Sequence, residues 1–81
     1  MRKPARWAMA RSEVKSEISG RVWKLETRVG DRVAADDAIL ILESMKMEIP
    51  VPAPAAGRVL EIRVAETDLV EEGQVVAVLE T

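Results

Sequence analysis

Residues 20–43 and 57–80 carry one pattern twice, and this repeat limits the possible folds more than any other feature of the chain. A shift of 37 residues lays Gly20-Arg21-Val22 over Gly57-Arg58-Val59, Asp31 over Asp68, Val33 over Val70, and Leu42-Glu43 over Leu79-Glu80, with no gap. Seven of the 24 positions are identical, and Leu25/Ile62, Ile39/Val76 and Ile41/Val78 exchange one aliphatic residue for another. Gly-x-Val and Val-x-Val patterns are common in small β proteins. A gapless register that also matches Gly, Asp and Glu is not. The chain is therefore expected to hold two copies of one β unit, joined through residues 44–56.

The period within each copy is two, not 3.6. Leu60, Ile62 and Val64 alternate with Glu61 and Arg63, while Trp23 and Leu25 alternate with Lys24 and Glu26. This predicts a strand over Arg21–Glu26 with Trp23 and Leu25 on one face, a matching strand in the second copy, and a first strand over Glu13–Ile18. Ala38–Leu42 and Val75–Leu79 are continuous apolar runs, as expected of central strands. Gly30-Asp31, Thr67-Asp68, Asp36-Asp37 and Gly73-Gln74 mark the turns. Pro50, Pro52 and Pro54 lack N–H groups, which places their segment at a sheet edge or leaves it partly unpaired. No stretch has the pattern of an amphipathic helix. The expected class is all-β.

With 81 residues the chain is one small domain whose core must come from Val, Ile, Leu and Ala, because Trp7 and Trp23 are its only aromatics. It contains no Cys, which excludes disulfides, thiolate nucleophiles and cysteine zinc sites. It contains no His, the commonest general base and metal ligand. Self-contained catalysis is not expected, and no catalytic or metal-ligating residue is assigned. The longest aliphatic runs are five residues, too short to span a membrane as a helix, and no secretory apolar segment follows Met1. Arg2, Lys3, Arg6 and Arg11 make the first twelve residues basic, while the remainder holds eight bases against fourteen acids. Residues 1–12 are expected to be a disordered basic tail and residues 13–81 the folded domain; four charges with one Trp are too few for a nucleic-acid arm. An acidic body without Cys fits a cytoplasmic location.

Between the two copies lies Glu43-Ser44-Met45-Lys46-Met47-Glu48, flanked by Ala38–Leu42 and Ile49-Pro50-Val51-Pro52. Both flanks read as strands, so the hexapeptide is expected to be a hairpin with Lys46 near its tip. Tight hairpins recruit Gly, Asn or Asp because their central residues need positive φ. Here the tip offers Ser, Met, Lys and Met, and two Met side chains stand where polar groups are usual. A local rule broken without visible compensation marks a functional site, and the group on offer is one primary amine.

Met45-Lys46-Met47, with Glu43 three residues before the lysine, resembles the attachment motif of the biotinyl/lipoyl-carrier domain family, most closely its biotin carboxyl carriers. The resemblance covers residues 13–80 and implies a flattened barrel or sandwich of two four-stranded antiparallel sheets related by a pseudo-two-fold axis. It implies that Lys46 is biotinylated by a biotin protein ligase, with Glu43, Met45, Met47 and Glu48 at positions facing that ligase. The cofactor would be covalent biotin, and the partners a biotin carboxylase and a carboxyltransferase, as in an acyl-CoA carboxylase. The chain would be a non-catalytic carrier, monomeric when isolated, with no nucleic-acid or membrane partner. Some carriers insert a protruding thumb in the first half; the gapless repeat leaves no room for one, so the chain reads as a free-standing minimal carrier whose biotin swings freely. It departs from the family at Glu17-Ile18-Ser19-Gly20, where relatives carry Ala-Pro, at Asp36, and at Thr67, which stands where the first copy has Gly30. A lipoyl carrier shares the fold, but its lysine commonly follows Asp. In an unmodified adaptor of the same fold, Lys46 would be an ordinary solvated turn residue.

Overall fold

Eight strands make up the domain in a computed structural model that describes residues 10–81: β1 (Arg11–Lys15), β2 (Gly20–Leu25), β3 (Arg32–Val33), β4 (Ala38–Ser44), β5 (Met47–Pro52), β6 (Gly57–Ile62), β7 (Leu69–Val70) and β8 (Val75–Glu80). They form two four-stranded antiparallel sheets, one ordered β1-β8-β6-β3 and the other β5-β4-β2-β7. The sheets face each other as a flattened sandwich. The two apolar runs, β4 and β8, are both inner strands, and the proline-bearing β5 is an edge, where a missing N–H costs no ladder bond. For residues 1–9 the expected tail lies outside the described residues. The first strand starts at Arg11 rather than Glu13, because Arg11 and Ser12 pair with Glu80 and Leu79, and it stops at Lys15.

The 37-residue offset recurs in the backbone bonding. Gly30 N–H donates to the Val59 carbonyl and Thr67 N–H to the Val22 carbonyl, each at 2.8 Å. The Asp31 and Asp68 carboxylates accept from the Arg28 and Ala65 N–H groups at 2.9 Å, closing the same turn twice. Positive φ falls at the same places: Gly30 (97°) with Thr67 (76°), and Asp36 (73°) with Gly73 (86°). In each pair one member is a glycine and the other holds a side chain in the left-handed region. A β-branched residue is the worst fit there. Thr67→Gly is expected to stabilise the domain by about 0.5–1 kcal/mol, after allowing for glycine's larger unfolded-state entropy, and a shift of the urea unfolding midpoint to higher concentration would measure it.

Val14, Val22, Ile39, Leu40, Leu42, Val59, Val76 and Leu79 are fully buried between the sheets. Burying each such side chain stabilises by roughly 1.5–3 kcal/mol before ordering costs, so this aliphatic layer carries the fold without aromatics. Trp23 is not part of it: the tryptophan is 47% exposed. A β-bulge between Val22 and Lys24 explains the difference, since the extra residue reverses the alternation and turns Val22 and Leu25 inward in place of Trp23 and Leu25. The same irregularity falls between Val59 and Glu61 in the second copy, again 37 residues on.

Two glycines set the distance between neighbouring strands. A Cβ at Gly20 would lie 2.8 Å from the Glu43 carbonyl oxygen, and one at Gly57 would overlap the Glu80 carbonyl. The loop after β2 reaches the start of β6 through the Gly30–Val59 bond, while Thr81 N–H donates to the Ala10 carbonyl. The two ends of the described chain therefore lie together at one end of the sandwich. The β4–β5 hairpin occupies the other.

Candidate functional site

β4 and β5 run in register from Leu42↔Ile49 through Glu43↔Glu48 to Ser44↔Met47, and two residues, Met45 and Lys46, close the hairpin. Their φ values are 51° and 65°. Positive φ at both central residues is the mark of a type I′ turn, whose twist matches that of the flanking strands. The turn normally takes Asn-Gly. Met and Lys adopt it at a cost of roughly 1–2 kcal/mol each, and the β4–β5 ladder below enforces it. The result is a lysine fixed at the apex of a short, stiff support.

The expected site residues gather around that apex. Met45 is 92% exposed and Met47 62%, and Lys46, Glu43 and Glu48 are exposed as well. Among the described residues no carboxylate lies within ion-pairing distance of the Lys46 amine. Glu43 and Glu48 stand directly opposite each other across the ladder, a like-charge pair that weakens a sheet. Their counterparts in the other sheet are Glu80 and Arg11, a favourable pairing. Strain in the backbone, exposed thioethers and opposed carboxylates all concentrate at one tip, and none of them serves the fold.

The sequence reading missed three neighbours. β2 and β7 bring Arg21 and Leu69 onto the row of Glu43, and Glu71 follows at the end of β7. With Ser19, Gly20, Ser44, Met45 and Lys46 they line a shallow concavity of about 580 Å³ beside the hairpin. The signal was present in the repeat: Leu69 and Glu71 occupy the places that Arg32 and Ala34 hold in the first copy. A larger groove follows the β1–β5 seam past Pro50, Pro52 and Pro54, away from Lys46.

This arrangement offers an exposed primary amine at a projecting, rigid point, with no side chain among the described residues placed to activate it. Such a group suits acylation by another enzyme and fits a covalently tethered cofactor, because none of the described residues blocks a substituent on Nζ.

Comparison with known proteins gives the same picture. The family model described as "Biotin-requiring enzyme" matches residues 9–79. The chain is 44% identical over 68 residues to a urea amidolyase of Saccharomyces cerevisiae, covering 84% of this chain but only 4% of that protein. It is 39% identical over 67 residues to the biotinylated protein TB7.3 homolog of Mycobacterium leprae, covering 83% of this chain and 94% of that one. The crystal structure of the Kluyveromyces lactis urea carboxylase superposes with a TM-score of 0.83 at 38% identity, over 98% of this chain and 7% of the carboxylase. A family match across nearly all of the folded residues, with the same sandwich in a solved relative, identifies the chain as a member of the biotinyl/lipoyl-attachment domain family.

Proposed function

We propose that Lys46 is the biotin attachment residue and that the chain is a non-catalytic carboxyl carrier of a biotin-dependent carboxylase. One observation carries this reading: the lysine of a Met-Lys-Met motif stands, exposed and without an ion-pair partner among the described residues, at the apex of a strained two-residue turn. Membership in the family supports it, and so do relatives named as a biotinylated protein, a urea amidolyase and a urea carboxylase.

The neutral Lys46 amine attacks the acyl carbon of a biotinyl adenylate supplied by a biotin protein ligase. An amide forms at Nζ, the bond from acyl carbon to phosphate oxygen breaks, AMP leaves and the amine proton passes to solvent. Met45 and Met47 offer the ligase apolar contacts on both sides of the amine, and Glu43 and Glu48 offer charge below it. When bound, biotin supplies a ureido nitrogen that takes up a carboxyl group at a biotin carboxylase and releases it at a carboxyltransferase. The chain contributes a rigid base and a tether that raises the local concentration of the head group at both active sites. Urea and acyl-CoA are the two acceptor classes that the resemblance and the relatives bring forward. The transferase binds the acceptor, so nothing in the carrier's hairpin needs to distinguish them.

Incubation with biotin, ATP, Mg²⁺ and a biotin protein ligase is expected to raise the intact mass by one biotinyl group. Lys46→Arg should take none, because a guanidinium keeps the charge but is not a comparable nucleophile. Modification by a lipoyl ligase alone would move the chain to the lipoyl branch of the family. No modification of folded protein by either ligase would leave Lys46 an ordinary surface residue.

A further inference from the structure

The two halves of the domain act as controls for each other, and they differ beside the hairpin. In the sheet far from Lys46, Arg58 and Glu80 face each other in register and close an ion pair at 3.0 Å. Arg21 and Glu43 occupy the same register 37 residues earlier, yet form no such pair. Arg21 instead donates from Nη1 to the Thr67 carbonyl at 2.9 Å. Its other N–H groups and the Glu43 carboxylate are left without partners among the described residues. Next to them the surface turns apolar: Leu69, paired with Arg21 across β2–β7, is 69% exposed, where the other copy places Arg32. Glu71 replaces Ala34 on the same rim. Gly20 and the small side chains of Ser19 and Ser44 line the same concavity, as do Met45 and Lys46 of the hairpin.

A concavity with an open guanidinium, two open carboxylates and an apolar shoulder has a definite chemical complement. A ureido ring presents one carbonyl acceptor and two N–H donors, and the fused thioether ring of biotin is apolar. Arg21 can donate to the carbonyl, Glu43 and Glu71 can accept from the N–H groups, and Leu69 can cover the sulfur-bearing ring. Reach is sufficient. The lysine stem and the valeryl chain together run through roughly eleven bonds of about 1.5 Å, while two strand spacings separate β4 from β7, roughly 10 Å.

We propose that this concavity is a resting site for the head group of biotin carried on Lys46, formed by Arg21, Glu43, Leu69 and Glu71. The inference rests on Lys46 being the attachment residue. It replaces the freely swinging arm expected from the absence of a thumb with one that folds back onto its own sheet. A docked partner that engages Glu43 or Glu71 removes the acceptors and frees the arm where it is needed.

The test uses the full chain, biotinylated to completion by intact mass, with Leu69→Arg and Leu69→Ala beside it. Arg32 occupies the equivalent place in the first copy, and Leu69 is exposed, so both variants should keep the wild-type amide spectrum elsewhere. Nuclear Overhauser contacts are expected between the biotin ring protons and the Leu69 methyls, with shifts of the Arg21 side-chain resonances on biotinylation. Streptavidin requires a free head group, so an arm at rest for nine-tenths of the time would be captured about tenfold more slowly than in Leu69→Arg. Absent contacts and equal capture rates on fully biotinylated protein would overturn the resting site while leaving the attachment reading intact. A chain that accepts no biotin would overturn both.

Discussion

Gly57→Ala is expected to remove about 3 kcal/mol of folding free energy, the upper end of what overpacking costs. The added Cβ would fall on the Glu80 carbonyl and close to the Thr81 methyl, at 3.0 Å. That carbonyl belongs to β8, which is held on one side by β1 and on the other by β6, so it cannot retreat without opening two ladders. A domain of this size has a total stability on the order of 5 kcal/mol, so the variant should keep only about 2 kcal/mol and unfold at a much lower urea concentration. Gly20→Ala should act in the same way but less severely, because its Cβ would stand 2.8 Å from the Glu43 carbonyl oxygen, a shallower overlap with backbone than the one at Gly57. Urea unfolding followed by Trp23 fluorescence would rank the two. Equal midpoints for wild type and Gly57→Ala would show that β6 and β8 can separate cheaply, against the geometry described above.

Those two glycines also show how far the sequence could be read. They open the two repeats, and the repeats predicted the paired turns, the inner strands and the position of the lysine hairpin, because each depends on local chemistry: glycine, aspartate, alternation and proline. The orientation of Trp23 was not readable in the same way. Alternation placed it beside Leu25, but a bulge is a property of the pairing between β2 and β4, and one extra residue reverses every face after it. The start of β1 at Arg11 depended likewise on a partner 69 residues away, Glu80, rather than on any local signal. At the site, Met45, Lys46, Met47 and the two glutamates stand within one hexapeptide and could be found together. Arg21, Leu69 and Glu71 join them only through the β4-β2-β7 order, so the repeat could mark Leu69 as unusual without saying what it stands beside.

Replacing Met45-Lys46 by Asn-Gly is expected to abolish biotin acceptance and at the same time stabilise the fold by about 1–2 kcal/mol. Acceptance is lost with the Lys46 amine, and the stability gain comes from the two backbone angles that amine's turn requires. At φ values of 51° and 65° a Met and a Lys each bear the left-handed penalty, whereas Asn tolerates the region and Gly is free of the penalty. Part of that gain is offset by the larger unfolded-state entropy of glycine, which keeps the net figure below the sum of the two penalties. A hairpin improved by losing its apex residues is one whose sequence was set by something other than stability. The single variant Met45→Asn separates two ways in which a ligase could read the apex. It keeps Lys46 and relaxes the turn, so recognition by backbone shape alone would leave kcat/KM unchanged or improved. Met45 has 92% of its surface free in the isolated domain, and burying a thioether side chain on docking contributes about 1.5–3 kcal/mol. The expected result is therefore a fall in ligase kcat/KM of ten- to a hundredfold, carried by KM, beside a higher unfolding midpoint. An unchanged KM would assign recognition to the rigid shape of the turn and leave the exposed methionines without a part in it.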